Sequence, residues 1–335
     1  MSYTNGLDNP ELYFQSKIWS GTGSENAITL DGDEDMSPNL VWIKQRNGTT
    51  NHILTDTVRS ATKSLNPEAT NTESTDAQAL KSFDSDGFTI GTDTDVNGSG
   101  GTGGTYVAWC WKESNSDAGM DIVTWTGNGS SQNISHSLSA VPHFMITKNR
   151  SATGDWTTYH QFGGGTKTFY LSNTDAIGTT SSPWNNTDPT SSVFSVGGGA
   201  YTNGSGNSII GYLWTEKQGF SKFGSYTGNG VSSGGGPFVY LGFRPALIII
   251  KNTASTPDWV MFDNKRVGYN TAGNEKLYPN NTNAEADITE IDLLSNGFKL
   301  HTDGSETNTS GSTYIYMAFA EAPFVNSKGV PCNAR

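Results

Sequence analysis

Asp93-Thr94-Asp95-Val96-Asn97-Gly98 opens like a calcium-binding loop, with oxygen ligands at alternate positions and glycine at the sixth. A loop of that kind needs a bidentate Glu at its twelfth position, and here that position is Gly104. Asp93, Asp95 and Asn97 therefore form only a weak metal candidate, and a polar turn without counterpart elsewhere in the chain is the plainer reading. Asp31-Gly32-Asp33-Glu34-Asp35 is a second acidic cluster, read as a solvated loop. Gly98-Ser99-Gly100-Gly101-Thr102-Gly103 has the letters of a dinucleotide fingerprint. It precedes a strand, however, so no helix N-terminus would face a pyrophosphate. The histidines are His52, His136, His143, His160 and His301. No two have metal-ligand spacing on one element, and none stands beside a recognisable nucleophile. A glycosidase pair is defined by its separation in space, so the sequence cannot identify one. No catalytic residue and no cofactor is expected.

The aromatic residues are the better lead. Trp19, Trp125 and Tyr226 each stand immediately before a Gly-x-Gly turn, and Trp184 lies in the loop Ser182-Pro183-Trp184-Asn185-Asn186. Aromatic faces beside Asn, Asp and Gly are what sugar rings stack on, which makes these four the candidate glycan or receptor contacts. Trp42, Trp156 and Trp259 fall within or beside strands and are expected in the core.

Composition narrows the partners. The net charge is −12, and no basic stripe is available to neutralise phosphates, so neither nucleic acid nor an anionic membrane surface is an expected partner. No apolar run reaches the length a membrane helix needs. Met1 to Gln15 lacks a basic region followed by an apolar core, so no secretory leader is expected. Cys110 and Cys332 allow at most one bridge; Cys110 reads as a small core residue. The 40 glycines, with abundant Ser, Thr and Asn, suit short strands joined by tight turns.

These residues are carried by a threefold repetition. Trp19-Ser20-Gly21-Thr22-Gly23, Trp125-Thr126-Gly127-Asn128-Gly129 and Tyr226-Thr227-Gly228-Asn229-Gly230 open three blocks. Each opening is followed by a segment in which a proline stands six residues before a lysine: Pro38 and Lys44, Pro142 and Lys148, Pro245 and Lys251. The blocks close on Tyr106–Trp111, Ile209–Trp214 and Tyr314–Phe319. Motifs in fixed order with a period of about 100 residues indicate a triplicated domain. The expected organisation is an arm over 1–16, repeats over 17–118, 119–220 and 221–323, and a tail over 324–335.

Each block reads as β throughout. In the closing run Val107, Trp109 and Trp111 alternate with Tyr106, Ala108 and Cys110. Both sets are apolar, which predicts a central strand buried between two layers. Eight and twelve residues beyond each lysine stand His52, Trp156 and Trp259, then Asp56, His160 and Asp263. The replacement of Asp by His160 reads as a tolerant surface site. Asp86-Gly87 and Asn296-Gly297, flanked by apolar residues, predict hairpins; the second block has Phe194-Ser195-Val196-Gly197 instead, so its hairpin turn should differ. Ala61 to Leu65 and Asn283 to Leu294 could hold a turn or two of helix. The expected fold is all-β, three tandem repeats of a two-sheet antiparallel β-sandwich. The arm carries Leu7, Leu12, Tyr13 and Phe14 between polar residues, the pattern of a segment that docks on another subunit.

The opening motif, the Pro-to-Lys segment, the Ser-Asp/Asn-Gly-Phe turn, Tyr106–Lys112 and the ending Ala322-Pro323-Phe324-Val325 to Arg335 together resemble repeats of tail-fibre-like virion structural proteins of tailed, especially marine, bacteriophages. The resemblance covers residues 17 to 335. It implies an assembled, non-enzymatic component of a phage particle; the expected place is the particle surface, and the expected partners are other virion proteins, further copies of the chain (a homo-oligomer) and a host-surface glycan. Such repeats occur at several places in virions; a fibre or adhesin is the leading expectation and a head decoration protein the alternative. A glycan-degrading tail enzyme is a more distant third.

Overall fold

The computed structural model describes residue 4 and residues 7–99, 103–266 and 274–332. The glycine-rich run 98–103 and the arm therefore lie partly outside the described residues. The chain is nearly all β, built from several antiparallel sheets. Its described helices are short: α-helical turns at Thr94–Asn97 and Ala200–Asn203, and 3-10 turns at Pro10–Leu12 and Gly164–Thr166. The segments 61–65 and 283–294 are not helical. They hold the strands Lys63–Ser64, Ala286–Ile288 and Ile291–Leu294, because their apolar residues follow no 3.6 period.

Three sheets share one strand order. Each runs from an opening strand to a closing strand, then a lysine strand, then a flanking strand. In the first block these are Phe14–Ser20, Thr105–Trp111, Leu40–Gln45 and Ile53–Asp56. In the second they are Met120–Thr126, Ser208–Trp214, Phe144–Asn149 and Thr157–His160, with Lys167–Tyr170 and Gly178–Thr179 added at the edge. In the third they are Ser221–Thr227, Thr313–Pro323, Phe243–Asn252 and Val260–Asp263. The registers correspond: Leu40, Phe144 and Leu247 pair with Trp111, Trp214 and Phe319. The runs aligned from sequence therefore occupy equivalent positions of equivalent strands.

The closing strands are buried on both faces, as their apolar alternation requires. The outer face of the first, Tyr106, Ala108 and Cys110, packs with Ile28, Phe88 and Ile90 of a small sheet. That sheet comprises Asn26–Ile28, Gly87–Ile90 and Leu80–Asp84. Its counterpart in the third block is Phe238–Tyr240, Gly297–Leu300 and Ile291–Leu294. In the second block Gln132–Ser135 pairs with Val193–Val196 alone, so the expected hairpin with a different turn is not formed; without Asp-Gly or Asn-Gly the tight reversal is lost. The hairpin glycines are needed for close approach. A Cβ on Gly87 would lie 2.0 Å from the Ile28 carbonyl oxygen, and one on Gly297 would lie 2.1 Å from that of Val239.

The arm is shorter than the sequence indicates. Asn9 caps the turn at Pro10–Leu12, and the first strand begins at Phe14, inside the segment assigned to the arm. Phe14 is buried, stacked on Phe319 at 5.2 Å and tilted against Trp111 at 5.1 Å. It is a core residue and not a free docking contact, because an aromatic opposite Trp111 gains more by filling the centre than by standing in water. Leu7, Leu12 and Tyr13 stay half-buried. Asp8 accepts from the Ser327 amide, which ties the arm to the tail.

Candidate functional site

The inner faces of the three sheets meet in one core. Val107, Trp109 and Trp111, Ile210, Tyr212 and Trp214, and Ile315, Met317 and Phe319 all belong to it. At its centre the last residue of each triplet touches the other two. Ring centroids are 6.2 Å apart for Trp111–Trp214, 5.6 Å for Trp111–Phe319 and 6.4 Å for Trp214–Phe319, in tilted and edge-to-face arrangements that favour aromatic contact.

Around this centre each block bonds to the next, and the third returns to the first. The residue eight beyond each lysine reaches a neighbouring backbone. Trp156 Nε1 donates to the Asn66 carbonyl at 2.8 Å and Trp259 Nε1 to that of Tyr170 at 3.0 Å. His52 Nδ1 accepts from Trp42 Nε1, so its Nε2 carries the proton and donates to the Asn281 carbonyl at 3.1 Å. Burial, helped by Lys44, lowers the His52 pKa to about 3 and keeps the ring neutral. Three backbone bonds repeat the same circuit, from the amides of Glu73, Ile177 and Glu285 to the carbonyls of Arg150, Thr253 and Arg46.

The position twelve beyond each lysine lies within these junctions and is not a tolerant surface site. Asp56, His160 and Asp263 are all buried. Asp56 accepts from Tyr212 Oη at 2.7 Å and from Arg59 Nε at 2.5 Å. Asp263 accepts from Trp109 Nε1 at 3.0 Å and from Arg266 Nε at 2.6 Å, and the Arg266 guanidinium lies 5.9 Å over the Trp109 ring. Glu73 then joins Arg59 to Arg150, and Glu285 joins Arg266 to Arg46. The junction of the second and third blocks replaces every member of this chain. His160 stands for Asp, Gly163 for Arg, Met317 for the donor Tyr or Trp, Ile177 for Glu and Thr253 for Arg. These changes belong together, since a lone buried charge would be costly. His160 Nε2 donates to the Tyr316 carbonyl at 3.3 Å, and burial lowers its pKa to about 4.

Lys44, Lys148 and Lys251 are also buried, and their pKa is lowered to about 8 by burial. Backbone carbonyls cap each ammonium. Two of these come from the neighbouring block: Thr70 for Lys148 at 3.1 Å and Thr174 for Lys251 at 2.9 Å.

The calcium pattern dissolves into scaffold. Asp93 caps the helical turn by accepting from the Asp95 amide, and Asp95 accepts from Asn51. Asn97 is buried; it accepts from the Thr22 amide at 2.8 Å and donates to the Gly91 carbonyl at 2.7 Å. The segment does have counterparts. Asn203 and Asn308 hold the Asn128 and Asn229 amides and the Gly197 and Thr302 carbonyls in the same way. No group of three His, Cys, Asp or Glu residues suited to a metal occurs among the described residues. The recurring asparagine before each closing strand was the signal available in the sequence.

The candidate aromatics serve that same scaffold. Trp19 Nε1, Trp125 Nε1 and Tyr226 Oη donate to the carbonyls of Val96, Thr202 and Thr307, each one residue before the buried Asn. All three rings are half-buried; Trp19 stacks on Tyr106 at 5.6 Å and Tyr226 on Tyr314 at 5.1 Å. Trp184 is only 1% exposed, edge-on to Tyr159. It fills the core between the second block's sheets, so it offers no free face to a sugar. Cys110 is buried and Cys332 exposed, and both are free thiols. The remaining arm candidates, Leu7, Leu12 and Tyr13, line a groove of about 610 Å³ together with Ser116, Asp117, Glu216, Lys217 and Gln218.

The family described as a domain of unknown function, DUF7483, matches residues 9–323, and the chain belongs to that family. No curated protein matches the chain.

Proposed function

We propose that this member of the DUF7483 family is a non-enzymatic structural protein of a bacteriophage particle, built as three tandem two-sheet β-sandwiches closed into a pseudo-threefold ring. The observation that carries this reading is ring closure: third-block Asp263 receives first-block Trp109, while the Glu285 amide bonds to the Arg46 carbonyl. A chain that closes on itself in this way resembles a trimer made in one piece. It matches a partner with threefold symmetry while leaving each block free to differ. The resemblance to tail-fibre-like repeats supports a position on the particle surface, where the protein takes part in host attachment. The groove bordered by Leu7, Leu12 and Tyr13 is the natural seat for another virion protein.

Ring closure also favours a second reading, a head decoration protein seated on a threefold lattice position. Copy number separates the two. Quantitative mass spectrometry of purified particles should find tens of copies for a fibre component and hundreds for a decoration protein. Absence of the protein from purified particles would refute both.

A further inference from the structure

Among the described residues, the third block carries a feature on its outer surface that the other two lack. Its small sheet presents Phe238 and Tyr240 to solvent, 47% and 46% exposed, from one face of the strand Phe238–Tyr240, while Val239 between them points into the core. Two residues apart on a strand, the rings stand roughly 7 Å from each other. The fold does not demand them. Val239, Ile28 and Ile134 pair with Phe298, Phe88 and Phe194 respectively. On that register Phe238 corresponds to Ala27 and Asn133, and Tyr240 to Thr29 and Ser135. Single exposed apolar residues are ordinary, but an adjacent aromatic pair that the register leaves optional marks an interaction surface.

The rings are held in place. A Cβ on Gly297 would lie 3.1 Å from Phe238 Cε2, so Phe238 rests over that glycine. Lys222 donates to the Tyr240 carbonyl at 2.8 Å and sits 5.5 Å over its ring. Polar groups border the platform on the same face. Lys299 and Asp292 stand in the cross-strand row of Phe238, and His301 pairs with Asp292.

We infer that this surface binds a saccharide. A pyranose has one face of C–H bonds, which the negative face of an aromatic ring attracts, and a rim of hydroxyls that needs donors and acceptors at the edge. Phe238 and Tyr240 supply the platform for consecutive sugar units; Lys299, Asp292 and His301 supply the rim. The inference rests on the host-attachment reading above and moves the glycan contact from Trp184, Trp19, Trp125 and Tyr226 to these residues.

The test is affinity electrophoresis of the full chain in native gels containing dextran, laminarin, alginate or polygalacturonate, which span neutral and acidic polymers. At least one polymer should retard the protein. The Phe238→Ala/Tyr240→Ala variant should lose the retardation, with apparent affinity weakened at least about tenfold. Phe238→Trp/Tyr240→Trp should keep it, which guards against a folding defect in the alanine variant. No retardation by any polymer, or equal retardation of the alanine variant, would overturn the inference. So would an alanine variant that only turns a self-associated species into monomer, because the platform would then be a protein interface. The gels use purified protein, so their failure leaves the particle reading standing, and absence from particles leaves the gel result intact.

Discussion

Asp263→Ala strikes the junction that closes the ring. It removes the acceptor for Trp109 Nε1 and the ion-pair partner of Arg266, whose side chain is wholly buried. Breaking a buried pair from one side costs about 3–5 kcal/mol, because the remaining charge cannot be solvated. If all 335 residues melt together, the unfolding entropy of about 2.1 cal/mol/K per residue sums to about 0.7 kcal/mol/K, and a loss of about 4 kcal/mol lowers Tm by about 6 °C. If the third block melted alone as a unit of about 100 residues, the same loss would shift its own transition by about 19 °C and leave the others in place. Differential scanning fluorimetry of Asp263→Ala, Arg266→Ala and the double variant completes the cycle. The double variant should be less destabilised than the sum of the singles by about 1–3 kcal/mol. Additive losses, or a shift of Asp263→Ala below about 1 °C, would refute the reasoning.

Three further outcomes are expected. Trp184→Ala should cost about 3–5 kcal/mol in chemical denaturation and half-exposed Trp19→Ala clearly less, so equal losses would contradict the packing described. Asn308→Ala should cost about 1–3 kcal/mol by stranding the Asn229 amide and the Thr302 carbonyl, and should speed hydrogen exchange at Asn229. The His160 pKa lies below its unfolded value of about 6.5, so the unfolded chain binds the extra proton and the histidine's contribution is complete above pH 6.5. That contribution falls toward pH 4 by about 1.4 kcal/mol per unit. Glu68 and Glu113, raised to about 7 by burial, act in the opposite direction as pH rises from 4.5 to 7. The stability difference between wild type and His160→Asn isolates the histidine. It should shrink between pH 6.5 and 4.5, and a constant difference would contradict its buried neutral state.

The strands were legible because their side-chain period is two and the pattern occurs three times. The equivalence of Trp111, Trp214 and Phe319 was likewise readable, since their runs align without a gap. That these three residues touch was not, because periodicity within a block carries no information about where another block stands. The same blindness made Asp56, His160 and Asp263 look like surface positions. Polar residues usually are exposed, and here Arg59 and Arg266 within the block, together with groups from the neighbouring block, make their burial tolerable. Asn97 was a weak metal candidate on its pattern alone, because side-chain oxygens at alternate positions suit a cation and a backbone staple equally well. Trp184 followed the usual rule that a Pro-Trp-Asn-Asn loop is exposed, yet its indole packs with Tyr159 and Phe194 in the second block's core. Phe238-Val239-Tyr240 does not stand out in the sequence, because alternation in a short strand does not say which face is covered.

The central claim is that the three blocks form one closed structural unit around a shared aromatic core. Scanning calorimetry of the whole chain tests it most directly. The account predicts a single endotherm of about 235 kcal/mol, at about 0.7 kcal/mol per residue near 60 °C, with calorimetric and van't Hoff enthalpies in agreement. A van't Hoff enthalpy near one third of the calorimetric value, or three resolved transitions, would mean blocks that melt independently and would contradict the closed ring.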